Sequence, residues 1–310
     1  MGRISRIQVV ERVAGGAQLS GMSLYGVNLS DLRLSGLEFR GTNLFRVNMQ
    51  GVDASGSDFM DANLSRSNIS RASFRRANLE RVNLFAANAS EADFSHAILS
   101  GAKMGRGIFR MARFVQSDLR RAELDRADLS EADLSKAMLG AAMLGRAKLV
   151  RCSLVKADLA HAFLKEANLS KSNLTSTDLT ATDCKGANLS QCAASYASLR
   201  RANLTNVNMQ NIILNEADLR QASAEGANVR NAILIGADLK NSDFSGANFQ
   251  RAELAFAQLE GCNFAGATFQ AANLAEADGW EKAEWGGAVF NSASRLPSGF
   301  RELIDSVIFV

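Results

Sequence analysis

The chain runs to 310 residues, with 35 Lys and Arg against 32 Asp and Glu and a formal net charge of +3. That balance is weaker than the basic excess of a typical nucleic-acid binder, and no segment approaches the ~20 apolar residues of a membrane span. The charge is unevenly placed: residues 1–150 hold 21 basic and 15 acidic side chains, a net +6, whereas residues 151–310 hold 14 and 17, a net −3.

Residues 1–16 mix apolar Ile4, Ile7, Val9, Val10 and Val13 with charged Arg3, Arg6, Glu11 and Arg12. They contain no continuous apolar run of signal-peptide type, and Arg6 stands where a myristoylation motif needs Ser or Thr. The pattern predicts a short strand or helix that caps the open end of the segment beginning at Ala17.

From Ala17 to Glu276 the chain is a five-residue repeat. Every fifth residue from Leu19 to Leu274 is apolar with no break in phase, which makes 52 consecutive units such as Ala62-Asn63-Leu64-Ser65-Arg66. A period held this long is the signature of a solenoid. The central residue is Leu in 32 units and Phe in 10, and the residue two places earlier is Ala in 31. None of these 104 positions is charged. Each unit therefore turns two residues inward, one small and one large, and three outward. A period of five is neither the 3.6 of an amphipathic helix nor the alternation of an ordinary strand.

The central Phe residues indicate how many units make one turn. Phe39/Phe59, Phe74/Phe94, Phe94/Phe114, Phe244/Phe264 and Phe249/Phe269 are each 20 apart, against three pairs 15 apart. Ala54, Ala89 and Ala224 each precede a Phe by 20 residues, so small sits beside large in one column, as a dense core requires. Four units per coil follow. Bulkier Met22, Val27, Leu32 and Leu37 at the small position predict a wider start, and Gly105 and Gly107 mark the softest unit.

A small residue, Asn or Asp, Leu or Phe, a polar residue and a variable one: over about five sixths of the chain this motif resembles the pentapeptide-repeat family. The resemblance implies an all-β solenoid, a right-handed quadrilateral β-helix in which four units make one square coil. At the ~4.8 Å interstrand spacing, 13 coils would measure about 62 Å, and the ends would bring the number to 13–14. Each coil contacts only its neighbours, so a single domain can be this long. The expected plan is an N-terminal cap over 1–16, the β-helix over 17–276, and a last irregular coil with a C-terminal cap helix over 277–310.

Beyond Leu274 the phase slips by one at Gly279, which makes Trp280, Trp285 and Phe290 the next large residues, and the only proline follows at Pro297. Phe300, Leu303, Ile304, Val307 and Ile308 fall at helical spacing and predict a terminal helix, with Ser298 as its N-cap. The tail Val307, Ile308, Phe309 and Val310 is more apolar than one terminal coil can cover. It predicts a homodimer through the C-terminal end, which the family resemblance also implies.

Catalytic chemistry has little to stand on. His96 and His161 both occupy the last, outward position of a unit, 65 residues apart. Cys152, Cys184, Cys192 and Cys262 all take inward positions with no CxxC or metal-ligand spacing, as buried thiols in a reducing compartment do. No phosphate-binding loop, nucleophile elbow or zinc motif is present. The expectation is a cytoplasmic protein that is not an enzyme and uses no cofactor or metal, and the family resemblance implies a bacterial source.

Residues 20 apart share a face, and three faces stand out. On the face centred on Leu24, Leu44, Leu64 and Leu84, the last position carries Arg46, Arg66, Arg106, Arg126 and Arg146, and the position before it carries Tyr25, Phe45 and Phe85. Arg with exposed aromatics has the composition of an interaction surface. The face centred on Phe39, Phe59 and Leu119 sets Glu38, Asp58 and Asp118 beside Arg40, Arg120 and Arg121 and so neutralises itself. Ile213, Ile233 and Ile235 break the polar rule at outward positions and predict a self-association patch.

These features predict a rigid, non-catalytic interaction rod with a protein partner. Nucleic acid is an unlikely ligand, because a ladder repeating at ~4.8 Å cannot match winding phosphates over several contacts. The resemblance offers an alternative, a DNA mimic that binds DNA gyrase or topoisomerase IV and protects it from quinolones or toxins. Such a mimic needs an acidic surface, and this chain carries +3.

Overall fold

The computed structural model describes residues 4–303 and 306–310. It divides into two compact units, Met1–Ser153 and Leu154–Val310, each built from its own ladder of coils.

The unit Asn43–Val47 shows why five residues suffice, because every backbone N–H in it has a partner. Asn43 N donates to Met22 O of the preceding coil (2.8 Å), Leu44 N to Asn63 O of the next (2.7 Å) and Arg46 N to Ser65 O (3.1 Å). Val47 N closes the turn on Leu44 O (3.0 Å). The remaining donor, Phe45 N, is taken by Asn43 Oδ1 at 3.1 Å. That last bond explains the Asn or Asp before each centre, since a side-chain carbonyl two residues back satisfies an N–H that no other coil reaches. The same bond recurs at Ser65 on Asn63 (3.1 Å) and at Ser245 on Asp243 (3.0 Å).

Parallel bridges join residues 20 apart, from Ser23↔Asn43 to Asp133↔Ser153 in the first unit and from Asp158↔Asp178 to Gln258↔Asp278 in the second. One coil therefore takes four five-residue units, as the Phe spacing predicts. Phe74 stacks on Phe94 with ring centroids 5.3 Å apart and Phe94 on Phe114 at 4.9 Å, both within 6° of parallel. In the second unit Phe249 stacks on Phe269 at 4.8 Å. Centres and small positions are buried almost throughout, but Met22, Leu32 and Leu37 are only half-buried, so the first coils do not fully admit their larger side chains.

Several small polar residues in the inward position turn their side chains to the coil below, while the buried Ser67 Oγ finds no partner among the described residues. Thr42 Oγ1 donates to Leu19 O (2.9 Å), Ser57 Oγ to Leu34 O (2.7 Å) and Cys192 Sγ to Leu169 O (3.0 Å). All four cysteines are free and buried. Burial pushes the Cys184 thiol up to about 12, so it is inert at neutral pH.

The last residue of the unit has a backbone requirement that the five-residue pattern does not announce. Arg46, Arg66, Arg106, His161 and Phe256 all stand at φ between 55° and 61°, and the same column elsewhere holds glycines such as Gly41 and Gly246. It is the third residue of a four-residue turn, where a type II turn needs positive φ. An L-residue there costs roughly 1–2 kcal/mol. The sequence carries the trace: from Gly21 to Glu276 this position never holds Val, Ile or Thr.

Gly107 needs a correction. It is not an empty inward site, because a Cβ built there would lie 2.5 Å from Phe109 Cε2. The Phe109 ring leans into the space that alanine occupies in most units.

At the start, helix α1 (Arg6–Ala14) opens on a capping box in which Ser5 and Gln8 bond each other's backbone. Only Val9 of the predicted apolar set is buried, whereas Ile7 is 69% exposed. Arg6 Nη1 donates to Asn28 O (3.2 Å) and Ser30 O (3.0 Å) of the first coils.

At the far end the phase slip is present, since Asn263↔Glu284 and Thr268↔Val289 are 21 apart. Residues 280–282 form a single 3-10 turn, and Trp285 stacks on Phe264 at 4.8 Å. The expected terminal helix is cut short. Helix α2 spans Phe300–Leu303 only, Ile304 lies outside the described residues, and Ile308–Phe309 form strand β2. It pairs in parallel with β1 (Val289–Phe290). Ile308 N donates to Ala288 O (2.8 Å) and Val310 N to Phe290 O (3.0 Å). The last coil offers open carbonyls, and a β-prone segment fills them in preference to coiling on itself.

Candidate interaction surface

The predicted Arg and aromatic face lies within the Met1–Ser153 unit, and most of it comes together. Tyr25 and Phe45, one coil apart, stack with ring centroids at 5.7 Å. The Arg46 guanidinium lies over the Phe45 ring at 5.3 Å, a cation–π contact. Farther along, Arg66, Phe85, Arg106 and Arg126 line one open cleft of about 430 Å³ together with Lys103, Glu123 and Asp125. Arg146 shares their column but is not among the residues of the cleft.

The cleft exists because of what its columns lack. Phe85 is 39% exposed and is followed one coil on by Gly105, so nothing covers that side of the ring. A Cβ at Gly105 would stand 3.6 Å from Phe85 Cδ2. Ala86 interrupts the Arg column at the same level. Lys103, which no sequence pattern singled out, enters because it bridges Asn83 on one side and Glu123 on the other. Its signal was a cation where the repeat wants Asn or Asp.

The cleft gathers cations that have no acid to bond. Among the described residues, Arg66, Lys103, Arg106 and Arg126 make no ion pair and no side-chain hydrogen bond. With Glu123 and Asp125 the cleft holds four cations and two carboxylates. Elsewhere in the unit several arginines are paired, although Arg76, Arg110, Arg113 and Arg121 make no ion pair among the described residues either. Arg81 reaches Asp61 at 2.8 Å, Arg71 reaches Glu91 at 3.1 Å and Arg120 reaches Asp118 at 2.7 Å. The Arg120 hydrogen bond holds the Asp118 carboxyl below its ordinary value of 3.8.

A family model described as pentapeptide repeats (8 copies) matches the chain in overlapping segments from 15–51 to 252–278, together covering 15–144 and 147–278. The chain belongs to the pentapeptide-repeat family. Its coils are accordingly those of a right-handed β-helix solenoid. Among solved structures it is similar to HetL, a pentapeptide repeat protein involved in heterocyst differentiation regulation from the cyanobacterium Nostoc sp. strain PCC 7120. The identity is 26% over 94% of this chain and 98% of that one, with a TM-score of 0.40. QnrB1, a plasmid-mediated fluoroquinolone resistance protein, is 16% identical over 64% of this chain and 91% of its own, with a TM-score of 0.46. A pentapeptide repeat protein from the Arabidopsis thaliana thylakoid lumen is 24% identical over 34% of this chain and 69% of its own, with a TM-score of 0.27. No curated protein matches by sequence.

The residues predicted to self-associate in this pentapeptide-repeat protein fall into separate patches of the Leu154–Val310 unit. Ile213 bridges Ile233, and Ile235 stands on the same face. Tyr196, 57% exposed, and Phe256, 62% exposed, belong to that face as well and were missed, since both fill the outward last position where no apolar rule applies. Ile308, Phe309 and Val310 are exposed on a different face, beside the column that ends at Val289. Phe309 lies under the Arg301 guanidinium at 4.9 Å. Both histidines are exposed. Among the described residues no cluster of His, Cys, Asp and Glu could hold a metal ion, and no helix is long and apolar enough to cross a membrane.

Proposed function

We propose that this pentapeptide-repeat protein is a non-catalytic binding protein, working in a reducing, cytoplasmic compartment, that recognises a protein partner through the face running from Tyr25 to Arg126. The observation that carries this reading is that Arg66, Lys103, Arg106 and Arg126, unpaired among the described residues, gather around an exposed Phe85 in one cleft. Unpaired like charges one coil apart repel by roughly 0.9 kcal/mol even in water, so an anionic partner would relieve what the free protein bears. In this reading the coil is square, with one five-residue unit per side, and α1 and the C-terminal segment close its ends. A second copy meets the chain at Val307, Ile308, Phe309 and Val310. Deleting those four residues should turn a dimer into a monomer in light scattering, and a full-length chain already monomeric at high concentration would refute that contact.

The face is tested by the double reversal Arg46→Glu with Arg66→Glu, at outward positions where folding is unaffected. Loss of a cross-linked cellular partner with unchanged melting supports recognition here, and retention places the site elsewhere. A DNA mimic of gyrase or topoisomerase IV is disfavoured by the sign of the charge. Protection of gyrase supercoiling by the unmodified protein would restore it.

A further inference from the structure

We propose that the Phe85 cleft takes an extended acidic peptide segment, with one aromatic or large apolar side chain seated over Phe85 in the Gly105 notch and its flanking carboxylates on Arg66, Arg106 and Arg126. The proposal rests on the partner face running from Tyr25 to Arg126 and names the chemistry of its ligand. The notch is a true opening, since the first atom of any side chain at 105 would already lie 3.6 Å from the Phe85 ring. A flat apolar group placed there gains the ring as a floor and the guanidinium stems as walls.

The arginines around it are free to form bidentate pairs with carboxylates, because none of them makes an ion pair among the described residues. Their spacing suits a peptide. Arg106 and Arg126 are one coil apart, ~4.8 Å, and Arg66 and Arg106 are two, ~9.6 Å. Side chains on one side of an extended peptide recur every ~6.8 Å, a mismatch that arginine stems absorb. Glu123 and Asp125 in the same wall decide against single-stranded nucleic acid. A phosphate at every step would have to pass both carboxylates, whereas a peptide can present a backbone N–H or a neutral residue there. Within the cleft Ser65 N and Phe85 N are capped by Asn63 and Asn83, and only Gly105 N and Asp125 N, which follow Lys103 and Glu123, have no acceptor among the described residues, so recognition runs chiefly through side chains and weakens with salt.

The test uses the full chain and a fluorescein-labelled synthetic nonapeptide of alternating glutamate and serine with a central phenylalanine, read by fluorescence anisotropy. Binding should fall about tenfold or more when the glutamates become glutamine and about fivefold when the phenylalanine becomes alanine. Both comparisons leave the protein untouched. Arg66→Gln with Arg106→Gln should lose binding to a similar degree, and glutamine is tolerated at this φ because Gln116, Gln191 and Gln221 already adopt it. Gly105→Leu, which fills the notch without changing charge, should abolish the advantage of phenylalanine over alanine in the probe. Equal binding of the glutamate and glutamine peptides, or tighter binding of a thymidine decamer than of the acidic peptide, overturns the proposal. If the peptide fails while Arg46→Glu with Arg66→Glu still loses the cellular partner, the ligand class is wrong and the partner face stands. If both fail, the face itself is wrong.

Discussion

Two faces of the Met1–Ser153 unit carry arginines from the same repeat and treat them in opposite ways. Around Phe39, Phe59 and Leu119, Arg40 lies 3.5 Å from Asp58 and Arg120 lies 2.7 Å from Asp118. Around Leu64, Leu84 and Met104, Arg66 and Arg106 reach no acid among the described residues. The difference is one of register. Most ion pairs form between residues 2, 18 or 20 apart, as in Arg120–Asp118, Arg75–Asp93 and Arg81–Asp61. On the second face the neighbours 20 residues away in the column are arginine or alanine. In a ladder this regular, charge compensation is decided column by column, and the second face is where uncompensated cations gather around an open cleft.

Four perturbations would break or sharpen that contrast. The largest concerns the scaffold that keeps every charge outward. Leu134 is fully buried and its neighbour Asp133 is not. Leu134→Asp should lower stability by at least ~3 kcal/mol in chemical unfolding, because a lone carboxylate has no partner among Leu and Ala. Asp133→Ser should change it by less than ~1 kcal/mol. Similar curves for the two would refute the inward and outward assignment.

Next comes Gly107→Ala, which installs the residue most units use. It should destabilise by about 1–3 kcal/mol, since the new Cβ meets Phe109. A gain in melting temperature would show that Phe109 can retreat without penalty.

The third isolates the backbone's share in the Arg column. Met111 is exposed at the same position of its unit with φ 57°. Met111→Val should cost about 1–2 kcal/mol, while Met111→Gly should be neutral or stabilising. If valine is tolerated, the absence of β-branched residues from that position needs another cause.

The smallest effects compare the two faces directly. Arg120→Gln should lose about 1 kcal/mol, because it leaves the largely buried Asp118 carboxylate without its charged donor. The Asp118 carboxyl is held low in the folded protein by Arg120, so this contribution is present above 3.8 and is lost as pH falls through the folded value. The wild type should therefore lose more stability than Arg120→Gln as the pH falls below about 4 in acid melts. Arg66→Gln with Arg106→Gln should change stability by under ~0.5 kcal/mol at either pH. A marked loss there would mean that the cleft arginines hold the fold together.

The sequence by itself determined the repeat, the inward pair in each unit, the four-unit coil and the phase slip at Gly279. All of these follow from periodicity, and burying one small and one large residue every five positions leaves few solutions. It also placed Arg66, Phe85, Arg106 and Arg126 on one face, because a 20-residue coil turns sequence spacing into stacking. Only the tertiary structure decided that Gly105 opens a cleft beside Phe85, that Lys103 joins it, and that Phe109 fills the place left by Gly107. Those outcomes depend on which way a ring leans and which neighbours it meets one coil away, and no periodicity encodes that. The end of the chain makes the same point: Val307 and Ile308 have helical spacing, yet Ile308 and Phe309 form a strand. The carbonyls of Ala288 and Phe290 wait one coil below, and satisfying them outweighs a local preference.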